Sequence, residues 1–470
     1  MFSDSQSRPI LSPATQRELG VVEAASKRKV YETVSKAVAE QPAWAARRTG
    51  ERADTLERAS ALIDEHAVRW SRLLAEESGK ILAQALFELQ LSAALTRANA
   101  ERLRAMSGDL LPTGALESTA SDIAWVRRMP LGVVAAILPF NFPVELFVEK
   151  ATAALAMGNA VIVKPPEQDP LTVMTMREAF LGAGVPPDVL GLLPGGPPTG
   201  AALSSDPRIA AVSLTGSTRA GFEVVRVPVL RKLHLELGGN DAAIVCRDAD
   251  LDLAASELVF GRTLMNGQAC AANKRIVVDR SVAGELVDRL IGLLAPMRVG
   301  DPLDSASSIG PLISQAAAER VSHQVSRAIE QGGRLVFGST SPRGAFFDPS
   351  IINDVPRSAD VASDDEIFGP VWTCIPFDTE EEAVSIANQS SFGLSGCVFS
   401  RDWPRALQIS DKLACGGAVV NGTGNYRPLL VPFGGVKQSG LGREGLGYTL
   451  DEMSQPRYTV LRRILKRHDS

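Results

Sequence analysis

Cysteine and histidine are scarce in this chain of 470 residues, and neither is grouped. Cys246, Cys270, Cys374, Cys397 and Cys415 are odd in number, far apart and without a CxxC spacing, which argues against a disulfide framework and against a structural zinc site. His66, His234, His323 and His468 lie too far apart for a local ligand pair, so no metal is expected. Charge of one sign is missing too: 49 basic against 54 acidic residues leave a net charge of -5, with no basic field for nucleic acid or an anionic membrane. The stretch Met1 to Pro9 is polar, and the first apolar stretches are broken by Lys, Arg and Glu, so neither a signal peptide nor a spanning helix is read. No repeat of solenoid or propeller period and no low-complexity segment interrupts the chain. A cytoplasmic protein that acts on small molecules is the expectation.

What is present is enough apolar residue, 45%, for two or more packed units. From about Lys29 to Met106, Ala, Leu and Arg recur at helical spacing with few breakers beyond Pro42, Gly50 and Gly79. Residues 109–128 lose that period, and the alternation from Ile123 to Val126 suits a hairpin-like excursion. Gly132 to Leu138, a helical stretch to Met157, and Ala160 to Val163 then read as strand, helix, strand. The alternation continues through Leu190 to Leu193 and Ala210 to Leu214, as in a parallel sheet covered by helices. After Gly239 it restarts with strands at Ala242 to Val245 and Arg275 to Asp279 and helices at Leu251 to Met265 and Val282 to Leu294. Two successive α/β units are predicted.

Three segments offer chemistry. Asn266-Gly267-Gln268-Ala269-Cys270 places a thiol after a Gly-containing loop and just before a strand, where backbone N–H groups can face a reacting oxygen; a small buried hydrophobe is the ordinary reading of such a cysteine. Leu235-Glu236-Leu237-Gly238-Gly239-Asn240 sets a carboxylate at an apolar strand end, where burial raises its pKa toward that of a useful base. Pro139-Phe140-Asn141-Phe142-Pro143 sets an amide between a strand and a helix, as a ligand contact or a helix cap.

In combination and in this order, these segments resemble the aldehyde dehydrogenase superfamily, nearest to its non-acylating lactaldehyde and semialdehyde branches. The likeness continues in Val163-Lys164-Pro165, Leu214-Thr215-Gly216-Ser217, Glu366-Ile367-Phe368-Gly369-Pro370 and Pro432-Phe433-Gly434-Gly435, and runs from about Ser12 to the Val460 region. The resemblance implies oxidation of an aldehyde to an acid. Cys270 would be the nucleophile, Asn141 and the Cys270 amide the oxyanion donors, and Glu236 the base that hydrolyses the thioester. Lys150 and Glu444 match groups near the oxyanion and proton path, although an exposed ion pair is the ordinary reading of either.

For the cofactor, Gly216 and Ser217 open a helix suited to a pyrophosphate, without a GxGxxG fingerprint. Lys164 and Glu167 match positions at the adenine ribose, where a carboxylate favours NAD over NADP, so NAD is expected with NADP as the other admissible acceptor. Glu366 and Phe368 match residues at the nicotinamide ribose and ring, and Pro139, Phe140 and Leu237 complete the cofactor set. The implied fold is α/β: a Rossmann-like cofactor domain (1–108 and 129–237), an α/β catalytic domain (238–440) and a small β oligomerisation element (109–128 and 441–470). That element would make a homodimer or homotetramer, with Tyr458 to Leu461 as a strand extending a partner's sheet.

The chain departs from its relatives at Glu145 and Glu149, four apart on one helix face at positions lining the family's substrate tunnel, where two like charges cost about 0.2–0.5 kcal/mol. Either Glu145 favours the helix N-terminus and Glu149 pairs with an Arg, or both meet a substrate carrying an amine or hydroxyls. Arg427 faces the same tunnel, suited to an anion or to neutralising Glu149. Phe142, Ala269 and Phe433 complete the substrate set. Ala269 and Glu149 stand where some relatives carry basic residues, which disfavours simple dianionic aldehydes. An N-terminal strand of longer relatives is expected to be short or missing. A CoA-acylating enzyme and a retired binding scaffold are the alternatives; Glu236 argues against the first, and the joint presence of Cys270, Glu236 and Asn141 against the second.

Overall fold

The computed structural model describes residues 7–464; residues 1–6 and 465–470, with His468 and the two ends of the segments discussed above, lie outside the described residues. At the N-terminus, where a strand of longer relatives was expected to be short or missing, the structure has a strand of five residues. β1 (Ser7–Leu11) pairs antiparallel with β2 (Glu18–Glu23), because Ile10 and Val22 bury against the body. Three helices follow, α1 (Lys27–Ala46), α2 (Thr49–Ser78) and α3 (Leu82–Ala105). α1 runs through Pro42, which sits on its exposed face. Gly79 ends α2 at φ +81°, its N–H bonded to the Ala75 carbonyl at 3.0 Å.

β3 (Asp109–Leu111) and β4 (Ile123–Pro130) leave the body as the predicted excursion. The chain then lays down β5 (Val133–Ile137), α4 (Pro143–Ala156), β6 (Ala160–Lys164), α5 (Leu171–Gly182), β7 (Leu190–Leu192), α6 (Pro197–Ser205), β8 (Ile209–Thr215), α7 (Thr218–Val225) and β9 (Lys232–Glu236). These strands lie parallel in the order β7-β6-β5-β8-β9. The near-continuous apolar runs of β5 and β6 are buried on both faces, as a parallel sheet between helices requires. Because the chain steps outward from β5 to β7 and then returns to place β8 on the other side, a crevice opens at the carboxyl ends of β5 and β8, where α/β sheets bind ligands.

A second unit contains β10 (Ala242–Val245), α8 (Leu251–Thr263), β11 (Arg275–Asp279), α9 (Ala283–Leu294), α10 (Gln315–Glu330), β12 (Arg334–Phe337), β13 (Ser350–Asn353), β14 (Val371–Phe377), α11 (Glu380–Asn388), β15 (Ser395–Phe399), α12 (Trp403–Ser410) and β16 (Gly417–Val420). Its sheet order is β12-β13-β14-β11-β10-β15-β16, parallel except for β12. The chain closes with β17 (Gly440–Leu441), antiparallel to β9, then α13 (Tyr448–Glu452) and β18 (Ser454–Leu461). β18 pairs with β4 along eight residues to form the three-stranded sheet β18-β4-β3. The fold is of the α/β class. Among the described residues no helix is long and apolar enough to cross a membrane.

Candidate active site

The crevice at the end of β5 and β8 widens into a cavity of about 1240 Å³ whose wall includes Asn141, Glu236 and Cys270. The sequence separates these residues by up to 129 positions, and the two sheets bring them to one space.

Cys270 follows a single 3₁₀ turn, Leu264–Gly267, in which Met265 and Asn266 take left-handed φ of 48° and 56°. Asn tolerates that conformation, and its side chain holds it: Nδ2 donates to the Gly79 and Pro311 carbonyls at 2.9 and 2.8 Å, and Oδ1 accepts from Gly310 N at 2.7 Å. Gly267, at φ +83°, packs so closely that a Cβ would fall 2.2 Å from the Gly369 carbonyl carbon. Gln268 accepts from Ile313 N at 3.0 Å. The thiol is thus carried on a loop fixed from several directions. Burial pushes it up to about 12, opposed chiefly by the charge of Lys274. Lys274 Nζ donates to the Cys270 carbonyl at 2.5 Å and pairs with Glu366 at 3.1 Å. Sequence reading missed Lys274; the available signal was a Lys-Arg pair inserted just before an apolar strand.

Glu236 is the last residue of β9, held there by β8 on one side and the Gly440 pairing on the other. It is buried, and neither carboxyl oxygen has a hydrogen-bond partner among the described residues. Burial and the nearby Glu444 raise its pKa well above the ordinary carboxylate range, against Lys150 and Arg427. His234, two residues back on the same face, accepts or donates at Ser213 Oγ (2.9 Å) and brings Nε2 to 4.0 Å from Glu236. Burial, then Lys150, lowers the imidazole to about 3, so it is neutral.

Lys150 and Glu444 pair at 2.7 Å. The ordinary expectation of an exposed ion pair is corrected: both are buried, because α4 is covered on all sides. Burial alone would raise Glu444, but Lys150 and Arg427 outweigh it and hold the carboxyl at about 2. Asn141 Nδ2 donates to the Gln268 carbonyl at 2.9 Å, tying the β5–α4 turn to the Cys270 loop. Its own carbonyl accepts from Lys80 Nζ at 2.9 Å, and Lys80 forms a buried ion pair with Glu88. Glu88 Oε1 in turn accepts from Val144 N and Glu145 N at 2.9 and 3.1 Å, filling the orphan donors at the start of α4. Neither Lys80 nor Glu88 was singled out from the sequence; they pair eight residues apart, but their other partners lie some 60 residues away.

The predicted substrate residues divide. Phe142, Glu145, Ala269, Arg427 and Phe433 line the cavity. Arg427 lies over the Phe433 ring at 4.3 Å and faces Glu145 at 3.8 Å and Glu444 at 3.4 Å. Burial raises Glu145 to about 7 against the charge of Arg427. Glu149 is not in the cavity wall, which corrects its placement there, and among the described residues it pairs with no Arg. One turn further along α4, its carboxylate accepts from Gly445 N at 3.0 Å and from the Thr449 hydroxyl, fastening the segment that carries Glu444. Arg427 therefore contacts Glu145 and Glu444 rather than Glu149.

The other end of the cavity fits a dinucleotide. Pro139, Phe140, Lys164, Glu167, Gly216, Ser217, Leu237, Glu366 and Phe368 all face it. Ser217 caps α7 by accepting from Ala220 N, leaving the first amides of that helix beside the crevice. Gly221 is a glycine for a reason of packing: a Cβ there would meet the Leu237 side chain at 2.6 Å. Phe140 and Phe368 meet edge to face at 5.9 Å, and Lys164, lowered to about 8 by burial, donates to the Pro165 carbonyl at 2.8 Å.

Comparison with known proteins agrees with this geometry. The aldehyde dehydrogenase family matches residues 2–459. Betaine aldehyde dehydrogenase of Cereibacter sphaeroides is 37% identical over 443 residues, 93% of this chain and 90% of that protein. Among solved structures, the NADP-dependent glyceraldehyde-3-phosphate dehydrogenase of Bacillus halodurans, complexed with NADP, superposes with a TM-score of 0.94 at 35% identity, over 97% of this chain and 96% of that one. Lactaldehyde dehydrogenase from Escherichia coli gives 0.93 at 31% identity, over 98% and 96%. The chain belongs to the aldehyde dehydrogenase family and is an NAD(P)-dependent enzyme that oxidises an aldehyde to the carboxylic acid.

Proposed function

We propose that Cys270 is the nucleophile of this oxidation and Glu236 its general base. The observation that carries the assignment is a buried carboxylate without a hydrogen-bond partner among the described residues, facing the same cavity as a cysteine on a loop held from several directions. The Cys270 thiolate attacks the aldehyde carbon, and the resulting oxyanion is held by the Cys270 amide and the Asn141 side chain, which is already aimed at the Cys270 loop. Bound NAD or NADP supplies the hydride acceptor. Loss of hydride leaves a thioester on Cys270; Glu236 takes a proton from water, whose oxygen adds to the thioester carbon and releases the acid and the thiolate. Lys150 and Glu444 position the proton that Glu236 collects. With the cofactor bound, Lys164 and Glu167 would hold the adenine ribose, Gly216 and Ser217 the pyrophosphate, Glu366 the nicotinamide ribose, and Pro139, Phe140, Leu237 and Phe368 would flank its ring.

The substrate is a polar aldehyde carrying hydroxyl or amino groups, since Arg427 and Glu145 place paired opposite charges in the wall beside Phe142 and Phe433. A panel of aliphatic, hydroxy-, amino- and carboxy-aldehydes, followed by NADH formation with wild type, Cys270→Ala and Glu145→Ala, tests both parts. Turnover by Cys270→Ala would overturn the nucleophile, and unchanged kcat/KM on polar aldehydes in Glu145→Ala would overturn the substrate class. Residues 1–108 and 129–237 form the cofactor domain, 238–440 the catalytic domain, and the sheet β18-β4-β3 the element that joins subunits into a homodimer or homotetramer; its exposed Leu110, Leu111, Tyr458 and Leu461 support that role. All five cysteines are free, which suits a cytoplasmic enzyme.

A further inference from the structure

We propose that Arg8, on the N-terminal hairpin, decides how well this enzyme accepts NADP beside NAD. The inference rests on placing the adenine ribose at Lys164 and Glu167.

Arg8 comes from β1, far from the cavity residues in sequence, yet its guanidinium forms an ion pair with Glu167. Glu167 lines the cavity together with Lys164. The corner is built closely around these two side chains: a Cβ on Gly196 would fall 2.8 Å from Glu167 Oε1, and one on Gly200 would fall 3.4 Å from Lys164 Cδ. β1 presents Arg8 in a defined register, since Arg8 pairs with Val22 across the hairpin and Ile10 anchors the strand in the core.

The charges decide the consequence. A lone Glu167 accepts from ribose hydroxyls and repels a 2′-phosphate. With Arg8 on it, the corner holds two cations, Arg8 and Lys164, against one carboxylate. The Arg8 side chain is 52% exposed, so its planar fork can turn from carboxylate to phosphate, a group it binds bidentately. Arg8 thus offsets the selectivity for NAD that Glu167 alone would impose.

Isothermal titration of the cofactor-free protein with NAD and with NADP tests this. Arg8→Ala is expected to weaken NADP by about tenfold to a hundredfold, the range of one charge-assisted hydrogen bond, and NAD by less than about twofold. Arg8→Lys should recover part of the loss, and Glu167→Gln should tighten NADP. Lys164→Ala separates the role of Arg8 from the placement of the ribose. If it weakens both cofactors while Arg8→Ala leaves the NADP/NAD affinity ratio unchanged, the role of Arg8 is overturned and the ribose placement stands. If Lys164→Ala changes neither affinity, the placement itself fails, and the role of Arg8 with it.

Discussion

Burial pushes the Cys270 thiol up to about 12, so in the cofactor-free protein the thiolate is a minor species at neutral pH. Alkylation by iodoacetamide should therefore rise roughly tenfold per pH unit between about pH 7 and pH 10, following the thiolate fraction. A plateau below about pH 8 would show that another charge ionises Cys270. For Glu236 the sign is similar: a base works deprotonated, and a carboxyl raised above its ordinary range loses its proton at higher pH, so thioester hydrolysis gains with rising pH through that raised value. Glu236→Gln should slow this step by about 10²–10⁴ and remove that limb of the profile. Asn141→Ala should cost about 10²–10³ in kcat, as removal of one oxyanion donor does elsewhere. At this scale the sequence was informative where a residue's chemistry is rare in its setting, as for Cys270, Glu236 and Asn141. It misled at Glu149, because helical spacing puts Glu145 and Glu149 on one face without saying that α13 and the loop before it cover the second of them.

Among the elements, α4 and the Cys270 loop position the chemistry, and both depend on residues remote in sequence. Glu88 fills the first amides of α4 and neutralises the buried Lys80, so Glu88→Ala strands a charge and leaves donors open. Denaturant titration should show a loss of about 3–5 kcal/mol, the usual cost of breaking a buried pair; a change below about 1 kcal/mol would mean that water replaces the carboxylate. Gly267→Ala forces a side chain into the Gly369 carbonyl at an unfavourable φ. It should lower turnover about a hundredfold through displacement of the thiol while cofactor affinity, measured by titration, stays put. Strands such as β11 are legible from apolar runs because a buried parallel strand has little other choice of residue. The N-terminal strand was expected to be short or missing: only Ile10 in β1 is buried, so no apolar alternation marks its pairing with β2.

For the whole molecule, apolar periodicity sufficed for two successive α/β units, but not for the strand orders that bring their ends together, since those depend on long-range packing. The sheet β18-β4-β3 leaves Tyr458 and Leu110 on its surface, 73% and 75% exposed in the single chain. A Tyr458→Glu, Leu110→Glu double variant should shift the molar mass seen by light scattering toward the monomer, and an unchanged mass would place assembly elsewhere. The whole reaction turns on a covalent intermediate at one atom. Glu236→Gln mixed with NAD and the best aldehyde of the panel, quenched in acid and read by intact and peptide mass spectrometry, tests it most directly. The predicted result is a burst of NADH approaching one per subunit together with an acyl mass on the peptide that carries Cys270. NADH formation at the wild-type rate with no adduct on Cys270 would contradict it.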